Sequence, residues 1–116
     1  MLLRPHQEMV MMPKAYFTGE LHVHDPETLK EYRDNVLETV EAFGGRFPAH
    51  AGDSRLLEGE EPLGLPIILG FDSQVEAMAW WNSPQCKAIH GIRLRSTVSR
   101  VIFVNGVRGR DDKLEL

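Results

Sequence analysis

The sequence predicts an α+β protein on the ferredoxin-like plan, βαββαβ, with a four-stranded antiparallel sheet and its helices on one face. Three observations carry this. Residues 15–24 alternate between apolar and polar, as a strand with one buried face does. Leu29, Tyr32, Val36, Val40 and Phe43 then recur at spacings of three and four, the period of a helix. Finally, residues 71–96 carry two helix starts in a row, Ser73 and Ser83-Pro84, before a β-rich run at 97–104.

In the first strand Ala15, Phe17, Leu21 and Val23 share one face, and Tyr16, Thr18, Glu20, His22 and His24 the other. Asp25-Pro26-Glu27 supplies an N-cap, a first-turn proline and a carboxylate that suits the helix dipole. Gly44 ends that helix as a left-handed cap. From Arg46 the period returns to two, placing Phe47, Ala49 and Ala51 opposite Arg46, Pro48 and His50. Pro48 has no amide proton for a ladder, so this strand lies at an edge or carries a bulge. A short strand is expected at 55–57, followed by a turn over 59–64. Residues 65–71 are apolar throughout, as a strand covered on both faces would be.

Ser73 followed by Glu76 reads as a capping box, and Pro84 after Ser83 starts a second helix at an elbow. Trp80 and Trp81 point about 100° apart on a helix. They are therefore not expected to share the face of Val75, Met78 and Ala79: one belongs to the core and the other covers the elbow or a partner subunit. Arg93 and Arg95 fall near a helix C-terminus, where positive charge is favoured. Residues 97–104 form the last strand, stopped by Asn105-Gly106.

Composition narrows the function classes. A chain of 116 residues with 42% hydrophobic and 26% charged content makes one globular domain. Its net charge of −4 argues against nucleic acid or an anionic membrane as partner. The single cysteine, Cys86, allows no internal disulfide. No apolar run approaches the ~20 residues of a membrane span. Residues 1–14 are expected to be a non-secretory N-terminal arm, 15–107 the domain and 108–116 a charged solvated tail, in the cytoplasm.

Helices on one face leave the apolar positions of the last two strands uncovered on the other. A homodimer with two sheets packed face to face is the expected solution, and Tyr16, Thr18, Glu20, His22, Arg46 and His50 would then line its interior. Asp25-Pro26 with Tyr32, Gly44-Gly45-Arg46, Leu57-Glu58-Gly59, Phe71, Ala77 with Trp80, Ser83-Pro84 and Arg93 stand in one order. In that order and spacing the chain resembles the domain of unknown function 1330 family over residues 15–107. Cys86 stands where that family more often has an aromatic, and Trp81 where Tyr is more usual. The resemblance implies a dimeric α+β barrel and no settled activity. The wider superfamily includes cofactor-independent monooxygenases, isomerases and haem enzymes.

The ligand-binding candidates are Arg46, His50, His22, Glu20, Tyr16 and Trp80, and the catalytic candidates are His50, Glu58 and Tyr16. A guanidinium at Arg46 could hold a carboxylate or enolate in bidentate fashion, or pair structurally with Glu20 or Glu58. Glu58 is either a general base or a loop anchor, and Tyr16 a proton donor or cavity lining. His22 and His24, with Glu20 and His50, could form a metal site, but two histidines at i and i+2 arise readily by chance. No metal or other cofactor is expected. Cys86, in a first helical turn, is either a thiolate or a small buried side chain. Two functions follow: a homodimeric barrel binding a small anionic or carbonyl-bearing molecule, with cofactor-independent acid-base chemistry, or a non-catalytic module whose dimer interior is filled by side chains.

Overall fold

The computed structural model describes residues 15–49 and 54–106. The elements run β1 (Ala15–Val23), α1 (Pro26–Ala42), β2 (Arg46–Ala49), β3 (Leu65–Phe71), α2 (Gln74–Trp81), α3 (Pro84–Ser96) and β4 (Thr97–Asn105). The strands form one antiparallel sheet in the order β2-β3-β1-β4, with the first strand central, as the ferredoxin-like plan requires. No helix among the described residues is long and apolar enough to cross a membrane.

Each helix begins where a side chain takes its free amides. Asp25 accepts the Thr28 amide at 3.2 Å and the Thr28 hydroxyl at 2.7 Å. The Ser73 hydroxyl accepts from the Glu76 amide at 3.1 Å. Among the described residues, however, the Glu76 carboxylate does not return the bond, so half of the expected capping box forms. Ser83 joins two helices at once, donating to the Trp80 carbonyl at 2.7 Å and accepting the Cys86 amide at 3.0 Å. α1 ends at Gly44, whose φ of 78° is the left-handed cap read from the sequence. Gly45 follows where a Cβ would collide with Phe71 and Val40, so only glycine lets the chain pass that close to the core.

Pro48 sits on the edge strand and beside an irregularity, since the β2 register slips between Arg46 opposite Gly70 and Ala49 opposite Ile68. That slip corrects the simple alternation expected for this strand: Ala49 falls in the Ile68 row, away from the Leu69 row. His50 and Ala51 lie outside the described residues. The short strand expected at 55–57 is not formed; residues 54–57 are exposed and irregular.

The core lies between the sheet and the helices. Ala15, Phe17, Leu69, Phe71, Val40, Ala77, Trp80 and Cys86 form its buried centre. Phe17 meets four rings: Phe71 at 6.0 Å, Trp80 at 5.3 Å, Trp81 at 5.4 Å and Phe103 at 5.3 Å. Trp80 is the core tryptophan, while the half-buried Trp81 packs both on Phe17 and, across the elbow, on His90; the face of Val75 is not the packed one, since Val75 is exposed. α2 ends at Trp81, and from that last turn both long indoles reach the same phenyl ring. The other sheet face is open in the chain, with Val98 and Ile102 each 52% exposed and Val104 44% exposed.

Replacing Phe17 with Ala removes the ring that all four neighbours share. It is expected to cost about 3–5 kcal/mol, the range for a large buried aromatic, measured by urea unfolding.

Candidate functional site

The chemistry of this fold gathers on the helix side of the sheet, around Arg93. Cys86, Ile89, Arg93 and Ser96 recur at three and four residues along α3 and are all buried. An arginine thus occupies a stripe otherwise made of small and apolar side chains. Arg93 is only 5% exposed, and its Nη1 donates to the Ser99 hydroxyl at 2.6 Å. Ser99 lies opposite Leu21 in the sheet, so the guanidinium turns back from α3 over the β1–β4 pair. Among the described residues no carboxylate pairs with it; the two ion pairs found are Arg46 with Asp72 and Arg100 with Glu20. A buried guanidinium without a counterion is costly, because hydration is lost and only partial dipoles replace it.

Tyr32, Cys86 and His90 surround this cation. With Arg93, Trp80, Trp81 and Phe17 they line a small, partly open cavity of about 20 Å³, room for about one water molecule. Burial pushes the Tyr32 phenol upward, and the facing Arg93 partly opposes that shift. Burial likewise raises the Cys86 thiol, again partly opposed by Arg93, so it is held as the neutral thiol rather than the reactive thiolate. His90 moves the other way: burial first, and Arg93 second, lower its pKa. Its ring packs on Trp81 at 5.2 Å. At neutral pH the site therefore holds one fixed positive charge, two neutral donors and an imidazole able to accept a proton.

A cleft of about 740 Å³ adjoins the small cavity, between α1 and the sheet. Leu21, Tyr32 and Ile67 line both, so the two spaces adjoin at Tyr32, which interacts with Arg93. Val23, Leu29, Val36, Leu37, Phe47 and Leu65 form its apolar walls, and Arg33, Glu41 and Arg46 also border it.

The residues singled out in the sequence are spread more widely. Trp80 lines the small cavity, with its indole N–H donated to Thr39 at 3.1 Å. Arg46 lies 3.4 Å from Asp72 and borders the larger cleft. Glu20 and Tyr16 are half-buried on the open sheet face, and His22 and His24 are exposed. Glu20 accepts the Leu63 amide at 2.7 Å and two bonds from Arg100, at 2.9 and 3.1 Å, and these partners hold its carboxyl below the usual range. Glu58 belongs to an exposed loop, and His50 lies outside the described residues. No group of three metal-ligating side chains occurs among the described residues. The helix dipole alone accounts for Arg93 in the sequence, and no sequence pattern points to His90. The readable signal was a charged residue on the Cys86-Ile89-Ser96 stripe.

The sequence profile of the domain of unknown function 1330 family (DUF1330) matches residues 14–107. A protein of unknown function from Rhodopseudomonas palustris has a similar structure, with 14% identity over 84% of this chain and 85% of that one and a TM-score of 0.65. A hypothetical protein from Arabidopsis thaliana is similar at 14% identity, over 90% and 94% of the two chains, with a TM-score of 0.61. SnoaB, a cofactor-independent oxygenase from Streptomyces nogalater, is similar at 11% identity, over 87% and 100%, with a TM-score of 0.57. At these identities the likeness is one of fold. No curated protein sequence matches significantly.

The lowered His90 pKa gives a sign that can be checked. The folded chain takes up this proton less readily than the unfolded one. The neutral ring's contribution to stability is therefore present above the ordinary histidine value of about 6.5 and is lost as pH falls below it. An NMR titration of the His90 ring should give a midpoint below that value, and Arg93→Gln should move it back upward.

Proposed function

The chain belongs to the DUF1330 family, and from that premise we propose that it is a homodimer in which each protomer binds a small anionic or carbonyl-bearing molecule on the helix side of its sheet. The observation that carries this is the buried Arg93 guanidinium, which meets no carboxylate among the described residues and lines a small cavity that shares Leu21, Tyr32 and Ile67 with the larger cleft. An anionic oxygen placed there gains a charge-assisted, two-pronged contact and relieves an uncompensated buried charge. Tyr32 supplies a second donor, and the neutral His90 a place for a proton. An enolisable carbonyl compound would thus find an acceptor for its α-proton and a cation for the resulting enolate oxygen, with no cofactor in the scheme. The cofactor-independent oxygenase SnoaB, which shares the fold, is consistent with such chemistry.

The set of Tyr16, Glu20, His22 and Arg46 expected from the sequence is the weaker ligand site, because Glu20 is held by Arg100 and Leu63, and Arg46 lies beside Asp72. That pairing favours a dimer interior filled by its own side chains, with the ligand held on the helix side. Dimerisation itself rests on the exposed Val98, Ile102 and Val104, an apolar row that a second copy of the sheet would cover.

Benzoate is a suitable first probe, measured by calorimetry. Arg93→Met, which keeps the volume and removes the charge, should weaken benzoate at least tenfold and leave the melting temperature of the free protein unchanged or raised. Unchanged benzoate affinity in that variant would remove the proposed site. Sedimentation should give twice the 13.2 kDa chain mass, and Ile102→Glu should give the monomer. A wild-type monomer at micromolar concentration would contradict the assembly.

A further inference from the structure

We infer that the ligand is an amphipathic organic monoanion, with one carboxylate or enolate head at Arg93 and an extended apolar body lying along α1. This rests on the anion-site reading above and goes beyond it by naming the shape and polarity of the molecule.

The size of the two spaces argues first. The cavity that Arg93 lines holds about 20 Å³, enough for one water or one head-group oxygen, whereas the adjoining cleft holds about 740 Å³. A compact acid of two to four carbons would fill only the part beside Tyr32, while the whole cleft lies within the ~300–1,000 Å³ range of sites for larger small molecules.

The distribution of charge argues second. Arg93 is the one buried charged side chain among the described residues. The cleft walls beyond Tyr32 are the aliphatic and aromatic faces of Val23, Leu29, Val36, Phe47 and Leu65. Arg33, Glu41 and Arg46 also border the cleft, but Arg33 and Glu41 are exposed and Arg46 lies beside Asp72, so none offers a buried charge like that of Arg93. A polyphosphate or dicarboxylate would bury its second charge against hydrocarbon, which is costly. An alkyl or fused-ring body would instead cover Leu37 and Leu65, half exposed in the free chain.

The test is a calorimetric series of butanoate, hexanoate, octanoate and decanoate on the full chain, wild type and Arg93→Met, with Leu37→Asp as a third protein. Because Leu37 is half exposed, its replacement leaves the core intact. Affinity is expected to rise by up to about fourfold per added methylene, on the order of a hundredfold from hexanoate to decanoate. Arg93→Met should weaken every member at least tenfold, and Leu37→Asp should weaken decanoate more than butanoate. Equal affinity along the series, with the Arg93 dependence intact, would overturn the amphipathic ligand and leave the anion site standing. Chain-length dependence that Arg93→Met does not alter would overturn the head-group assignment on which both readings depend.

Discussion

The contact on which the rest of the structure depends is the ring of Phe17 on the central strand, held among Phe71, Trp80, Trp81 and Phe103. It ties three strands of the sheet to the last turn of α2. Aromatic pairs of this kind add about 0.5–1.5 kcal/mol each beyond the area they bury. Once Trp80 is seated, Ser83 accepts from the next helix while donating to the Trp80 carbonyl, so the elbow has a fixed geometry. α3 then leads without a loop into β4, and the Ser96 carbonyl receives the amides of His24 and Asp25 at 3.0 and 3.2 Å. The helix carrying Arg93 is fixed at both ends.

That arrangement explains how a guanidinium is kept inside a small domain. The Ser99 hydroxyl and the facing Tyr32 supply partial negative charge around it, and neither supplies a full one. The fold thus stores an electrostatic deficit that an anion can relieve. Burial, more than the cation, sets the protonation of its neighbours: it disfavours charged His90, with Arg93 adding to that effect. Burial likewise favours the neutral Cys86 and Tyr32, there against the pull of Arg93.

Much of the fold was legible because its signals are local. Residues 65–71 form the strand expected from their apolar run, and Asp25, Ser73, Ser83 and Gly44 stop and start helices where their side chains or backbone permit. The site was less legible, since it depends on which helix face meets the sheet. Arg93 near a helix end has a satisfactory solvent-exposed explanation in sequence, and only packing shows the side chain turning inward to Ser99. Arg100, which holds Glu20, was hidden for a related reason: cross-strand pairing depends on register, and register became visible only with β1 and β4 side by side. The family resemblance did contain Tyr32, Trp80 and Arg93 together, and all three line the small cavity.

The most direct measurement is the arginine side-chain region of a nitrogen-proton NMR spectrum during titration with octanoate. Arg93, buried and bonded to Ser99, should give a sharp Nε–H signal in the free protein, and that signal should shift to saturation as octanoate is added. Saturating shifts at Arg46 or Arg100 with Arg93 unmoved would contradict the account, because the ligand would then sit away from the buried cation.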